Sequence, residues 1–306
     1  MSTPPGPQRY RLFGLTLQSA IPLPELAPLA LGSGGDADVV IERGAVAIPV
    51  DAPPPVGGLY GRGKDGVLQV KRTGRYRISD GSRIVVDAEA EALDRNVRLF
   101  LLGSAMGALL HQRGIVPLHA NAIDLNGRAI GFMGRSGIGK STLAAAFHDQ
   151  GWRVLSDDVC AVTRSADGFS AQPGIPRLRL WRDAIERSGR TVEGHERAFD
   201  DVDKYTVGIA AEAGEAVPLA ALYLLASPGG DDFAVRRLAG GAAINALMAN
   251  TYRGAFVPVV GDPRRHFETC VALANKVPVF ELARPWDGAR VAETVVRVEA
   301  HLASLG

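Results

Sequence analysis

Between Tyr10 and Asp87 the chain alternates apolar and polar residues in short runs: YRLFGLTLQS, ADVVIERG, GVLQVKRTG, RYRISDG and SRIVVDAE. Gly, Pro and Asp punctuate them, and a period of two over such lengths predicts half-buried strands. Residues 10–87 are therefore expected to form a small β-rich N-terminal domain, mostly antiparallel. Residues 1–9 carry three prolines and no periodicity, and read as a flexible tail. The IPLPEL segment, with two prolines two residues apart, has to be extended or turned.

At Ala88 the period changes. Leu93, Val97, Phe100, Leu101, Ala105, Ala108 and Leu109 recur at helical spacing, and Gly114 is placed to stop the helix. This helix is expected to open a second domain over residues 88–306. There short apolar strands alternate with helices: HANAIDL, RAIGFM, the helix after Lys140, WRVLSD, CAVTR, AALYLL and a last helix in DGARVAETVVRVEAHLASL. That alternation predicts an α/β architecture. GIAAEAGEAVPLA, residues 208–220, reads as a surface loop.

Composition adds exclusions. A chain of 306 residues allows one large or two modest domains. A formal net charge of +1 gives no case for a nucleic-acid partner or a membrane surface. The longest apolar run, near Val217–Ala226, is too short to cross a bilayer, and MSTPPGPQRY lacks the apolar core of a signal peptide. Cys160 and Cys270 make no disulfide framework and read as small buried hydrophobes of a reducing cytosol. A cytoplasmic protein is expected.

Chemistry enters at residues 131–160. Gly134-Arg135-Ser136-Gly137-Ile138-Gly139-Lys140-Ser141 matches G-x-x-x-x-G-K-[ST] in full, between the buried-strand run AIGFM and the helix STLAAAFHDQ. Glycines let successive N–H groups wrap an anion, and the helix N-terminus adds a favourable dipole. Lys140 is placed to reach the outer phosphates of a nucleotide, and the Ser141 hydroxyl to ligate Mg²⁺, with Thr142 next in line. The next strand, WRVLS, ends in Asp157-Asp158, and a β-α-β unit returns those carboxylates to the loop's edge of the sheet. Alternation should make them diverge, one holding metal and the other facing the nucleophile. The alternative is that one aspartate caps a turn. His119 sits on the strand expected to form a hairpin with AIGFM through DLNGRA, and its spacing fits a core histidine or a γ-phosphate neighbour equally. Arg177, Arg179 and Lys204 are cations able to clamp phosphate or an acidic acceptor, or ordinary surface charge.

LHANAIDLNGRAIGFMGRSGIGKSTLAAAFHDQGWRVLSDDV resembles the catalytic core of bacterial HPr kinase/phosphorylase: a histidine-bearing strand, a glycine loop and an Asp-Asp pair, in this order. The resemblance is specific over about residues 115–165. It implies a P-loop kinase core of the HPr kinase / phosphoenolpyruvate carboxykinase type, using ATP and Mg²⁺. Two positions depart from that family's pattern. Arg135 replaces an acidic residue and Thr142 a glutamate, which shifts metal binding toward Asp158. The arginine-glycine stretch of the two-way enzymes is absent, so a kinase without phosphorylase activity is implied. YRLFGLTLQSAIPLPEL, PRLRLW and DKY further resemble the HPr-kinase-like proteins of lasso peptide gene clusters, which include kinases acting on the C-terminal serine of a precursor peptide. By that resemblance Asp157 is the base, His119 an assisting group near the γ-phosphate, and Lys140 and Ser141 the phosphate and metal ligands. Lys204 gains weight as a substrate residue. The ring assemblies of relatives make a homo-oligomer a further expectation.

The leading expectation is thus an Mg-ATP-dependent kinase of a serine hydroxyl on a peptide or small protein. Two others stand beside it: a small-metabolite kinase of the same fold, and a nucleotide-sensing regulatory module. Motor and signalling ATPases rank last, because their acidic strand usually follows much later in the chain.

Overall fold

The computed structural model describes residues 6–187, 191–199, 202–209, 214–226, 232–285 and 287–305. The chain divides into two compact units, residues 1–117 with 251–270 and residues 118–250 with 271–306.

The first unit holds an eight-stranded sheet. β1 (Gln8–Leu12) and β2 (Leu15–Ser19) form a hairpin, followed by β3 (Ala30–Leu31) and β4 (Val39–Arg43). β5 (Leu59–Arg62), β6 (Asp65–Val70), β7 (Gly74–Ser79) and β8 (Arg83–Ala88) complete it, in the order β3-β1-β2-β4-β8-β7-β6-β5. Alternation does its expected work: in β7 Tyr76 and Ile78 are buried, while Arg75 and Arg77 point outward. Two expectations hold and two are corrected. Gln8 and Arg9 of the expected tail pair in β1, and its residues 1–5 lie outside the described residues. The sheet is mostly antiparallel, as expected, with β4 running parallel to both β2 and β8. IPLPEL turns, as expected, leading into a 3₁₀ segment at Pro24–Leu29. Ala88 starts no helix.

Helix begins instead at α1 (Asp94–Phe100), passes through a π turn at Leu101–Ala105 and resumes as α2 (Met106–Arg113). Leu101, Leu102, Ala105, Met106, Leu109 and Leu110 are all at most 1% exposed, so the helix is interior from Leu101 to Leu110, whereas its first turns carry Asp94 and Arg95 on the surface. It belongs to the first unit and does not open the second. Tyr76 donates to the Val97 carbonyl at 3.0 Å, and Gln112 donates to Ile78 O at 3.0 Å while accepting from Gly81 N at 2.8 Å. Gly114 stops the helix at φ 71°, as expected.

β9 (Val116–Leu118) carries the chain into the second unit. There β10 (Ala120–Asp124) and β11 (Ala129–Met133) form the expected hairpin. Its two-residue turn is Asn126-Gly127, at φ 55° and 80°, the left-handed pair that matches strand twist. α3 (Lys140–Asp149) follows, and β12 (Arg153–Ser156) pairs antiparallel with the far edge of β10. β11 and β12 are therefore parallel to each other with β10 between them. β13 (Cys160–Arg164) and β14 (Phe169–Gln172) extend the sheet on its other side. β15 (Arg177–Trp181), α4 (Arg182–Arg187), β16 (Arg197–Phe199) and β17 (Val202–Gly208) form a separate three-stranded sheet with its short helix.

β18 (Val217–Leu225) runs parallel to β11. Residues 210–213 of the expected 208–220 loop lie outside the described residues, and β18 takes the last part of it. After β19 (Ala234–Leu238) and α5 (Gly240–Ala249) the chain returns to the first unit as α6 (Val257–Val260). α7 (Pro263–Lys276), β20 (Val279–Ala283) and α8 (Val291–Ala303) end it. The second unit's core centres on stacked rings. Phe132 lies 5.5 Å from both Phe147 and Tyr223, and Tyr223 lies 5.5 Å from Phe280. This apolar mass ties β11, α3, β18 and β20 into one rigid platform. Both cysteines are free and buried. Among the described residues no helix is long and apolar enough to cross a membrane.

Candidate active site

β11 is buried along its whole length and hands the chain directly to the glycine loop. Gly134, Gly137 and Gly139 have φ of 146°, 82° and 88°, values that side chains resist, which is why glycine occupies all three. Ile138 turns its side chain into the core and pins the loop, while Arg135 is exposed. Lys140 opens α3 and is 7% exposed. Its ammonium donates to Gly134 O at 2.6 Å and Arg135 O at 3.1 Å, and meets His119 Nε2 at 3.1 Å. Burial pulls its pKa down to about 8, against the opposing pull of Asp158 and Asp157.

His119 stands just before β10. Burial and then Lys140 lower its pKa, so the ring is neutral at pH 7. A neutral ring accepting from Lys140 at Nε2 carries its proton at Nδ1. That nitrogen faces the Asp158 carbonyl at 3.1 Å and carboxylate Oδ1 at 3.3 Å. Asn121 is fully buried, and its amide donates to Lys140 O at 2.6 Å, tying β10 to the start of α3.

Asp157 and Asp158 follow β12 and do not end it, and they sit in a bend where Asp158 adopts φ 76°. Aspartate tolerates that left-handed conformation better than most residues. The two side chains diverge as expected, but through the bend and not through strand alternation. Asp157 Oδ1 accepts from the Ser141 hydroxyl at 3.0 Å and Oδ2 from Arg179 N at 2.8 Å. Asp158 Oδ2 accepts from Arg179 Nη1 at 3.1 Å. The two carboxyls are pushed apart in acidity. Burial, then the neighbouring Asp158, raises Asp157. Burial also acts to raise Asp158, but Arg179, His119, Lys204 and Lys140 together outweigh it and hold the group below the usual carboxylate range.

β15 presents Arg177, Arg179 and Trp181 on one face and packs Leu178 and Leu180 into the core on the other. Arg179 reaches the aspartates. Arg177 is not among the residues lining the site's cavity, so the structure does not bring it to the other candidates. Lys204 pairs opposite Trp181 on β17 and does line that cavity, whose volume is about 250 Å³. Ser136, Gly137, Gly139, Ser141 and Thr142 face it too, whereas Gly134, Arg135 and Ile138 do not.

Sequence reasoning missed Asn121, Trp181, Asp183, Arg284 and Asp287. Arg284 donates to Ile138 O at 2.9 Å, and burial lowers its pKa. It lies some 140 residues beyond the loop in sequence, with no local signal to announce it. Trp181 was more legible, because the period of PRLRLW puts it on the face of Arg179.

The cavity thus combines four cations, Lys140, Arg179, Lys204 and Arg284, with the carboxylates of Asp157, Asp158, Asp183 and Asp287. Among the described residues no cluster of three or more His, Cys, Asp or Glu can hold a metal unaided. A Mg²⁺ ion bound through one carboxylate, a hydroxyl and ligand phosphates needs no such cluster.

No family model matches the chain, and no curated protein matches it. Among solved structures it is similar to the HPr(Ser) kinase/phosphatase from Coxiella burnetii, at 13% sequence identity and a TM-score of 0.32, over 62% of this chain and 99% of that one.

Proposed function

We propose that this chain is an Mg-ATP-dependent phosphotransferase whose acceptor is a serine hydroxyl on a peptide or small protein, a lasso peptide precursor with a C-terminal serine being the candidate acceptor. One observation carries the phosphoryl-transfer reading: the carboxyl of Asp157 lies within hydrogen-bond distance of the Ser141 hydroxyl, at the foot of a glycine loop whose lysine is buried beside it. A phosphate-binding loop and a base are then in one cavity. The serine acceptor rests on the sequence resemblance alone.

The residues fit the nucleotide. The loop's N–H groups and Lys140 would hold the outer phosphates, with Arg179, Lys204 and Arg284 supplying further positive charge from the cavity wall. A carboxyl group has to be ionised to ligate a metal, which suits Asp158 beside the neutral Ser141 hydroxyl. Bound there, Mg²⁺ would neutralise charge on the phosphoryl group in transfer. A base works best with its pKa lifted toward neutrality, which suits Asp157. Asp157 would take the acceptor proton as the seryl oxygen bonds to phosphorus and the nucleoside diphosphate leaves. His119, neutral and bridging Lys140 to Asp158, would keep both in place.

The test is mass spectrometry of a serine-terminated peptide incubated with the protein, Mg²⁺ and ATP, with Asp157→Asn run beside it. Addition of one phosphate by the wild type, lost in a variant that still binds ATP, supports the reading. Binding without transfer to any hydroxyl acceptor moves it to the nucleotide-sensing module.

A further inference from the structure

Trp181 stands apart among the described aromatic residues of the second unit. It is 43% exposed in a cavity otherwise dominated by charge. Among the described residues its indole N–H has no hydrogen-bond partner and its ring no aromatic or cationic one. Tryptophan N–H groups usually find a partner where the ring packs. Trp152 follows that rule and donates to Glu299. An open, unpartnered indole face inside an anion-suited cavity is a costly arrangement for a merely structural residue.

Its position is fixed from both sides. Arg179 on the same face of β15 is anchored to Asp158 at 3.1 Å, and Trp181 lies two residues further, about 6.6 Å along an extended strand. Lys204 is its cross-strand partner in register. Behind them Arg182 donates to Asp203 Oδ2 at 2.7 Å and stacks over Tyr205 at 5.3 Å, so the strand ends are braced. Gly288 and Val291 line the same cavity and add apolar surface. The cavity therefore offers cations and carboxylates around Lys140 and Asp158, and an aromatic face with small apolar neighbours at Trp181. A nucleotide has that same division, charged phosphates and a flat apolar base.

We propose that Trp181 is the stacking platform for the purine base of the nucleotide whose phosphates the Gly134–Ser141 loop holds. The inference rests on the nucleotide-binding part of the function proposed above, and deepens it by assigning the base subsite. Arg179 links the two halves, since its guanidinium meets the aspartate at the phosphate end and its strand carries the platform.

The experiment is calorimetric titration of the full chain with ATP and, separately, with inorganic tripolyphosphate, each with Mg²⁺, for the wild type, Trp181→Ala and Trp181→Phe. One stacked base contributes enough that Trp181→Ala should weaken ATP about tenfold or more. Tripolyphosphate affinity should stay unchanged, and Trp181→Phe should recover most of the ATP affinity. Equal weakening of ATP and tripolyphosphate overturns the assignment, because the damage is then to the phosphate end. Unchanged ATP binding in Trp181→Ala also overturns it, and a raised KM for the acceptor in that variant would place the platform on the acceptor's side. A wild type that binds neither ligand defeats the nucleotide reading itself, a distinct result.

Discussion

The Ser141 hydroxyl donates to Asp157 Oδ1 at 3.0 Å while the Arg179 backbone donates to Oδ2 at 2.8 Å, so both oxygens of one carboxyl are held from opposite sides. A group held that way keeps its direction when its charge is removed. Asp157→Asn should therefore lower kcat by about a hundredfold to ten-thousandfold, the usual worth of a positioned base. Nucleotide affinity should change less than about threefold, because in the proposed binding mode the loop and Lys140, not Asp157, hold the phosphates. Single-turnover phosphorylation of the peptide together with calorimetric binding of ATP separates the two.

In the proposed mechanism Asp158 carries the other role. Held ionised by Arg179 and His119, it is the carboxylate proposed to hold the metal. In Asp158→Asn the Mg²⁺ concentration that half-saturates turnover should rise by about tenfold to a hundredfold. Asp157→Asn should shift that midpoint far less. A Mg²⁺ titration of initial rates on both variants checks the assignment; a larger shift in Asp157→Asn would exchange the two roles.

Lys140 titrates near working pH, since burial sets its pKa at about 8. The sign follows from which form binds phosphate: the ammonium predominates below pH 8 and is lost above it. Affinity for ATP should fall about tenfold between pH 7 and pH 9. In Lys140→Arg the guanidinium stays charged over that range, so the profile should be flat even if the affinity differs. Binding titrations at four or five pH values read this directly.

In the first unit His111 is 5% exposed, and burial lowers its pKa to about 4, with His266 adding to the effect at a ring separation of 6.0 Å. An unfolded histidine titrates near 6.5, so between those values the unfolded chain binds a proton that the folded chain does not. Stability is complete above pH 6.5 and is lost as pH falls toward 4. From pH 7 to pH 5 the loss from this group is about 2 kcal/mol. Urea unfolding at the two pH values, on wild type and His111→Gln, should show a smaller pH difference in the variant.

What could be read from the chain was what local chemistry dictates. The Asn126-Gly127 turn, the glycine loop and the helix after it are each specified by neighbours in sequence, and they stand where they were expected. The aspartates arrived at the loop for the same reason, one crossover away. The misses share a different cause. The parallel pairs of β4, the return of residues 251–270 to the first unit and the reach of Arg284 to Ile138 all depend on distant partners. The π turn at Leu101–Ala105 is hidden because Leu101, Leu102, Ala105, Met106, Leu109 and Leu110 are all apolar and buried, so the apolar spacing reads as helical with or without a one-residue shift. His119 was undecided from its spacing, and only the contacts with Lys140 and Asp158 separate it from an ordinary core histidine.

The placement of β10 between β11 and β12 has a wider consequence. It gathers His119, the glycine loop and both aspartates from fewer than about fifty consecutive residues, all within one wall of the second unit. Trp181, Lys204 and Arg284 come from later stretches of chain, joined to that block chiefly through Arg179 and the Ile138 carbonyl. The two parts draw on separate stretches of the chain. Substitutions at Trp181 or Lys204 leave the hydrogen bonds among Lys140, His119, Ser141 and the two aspartates in place, so what the cavity wall presents can change without disturbing the compact block.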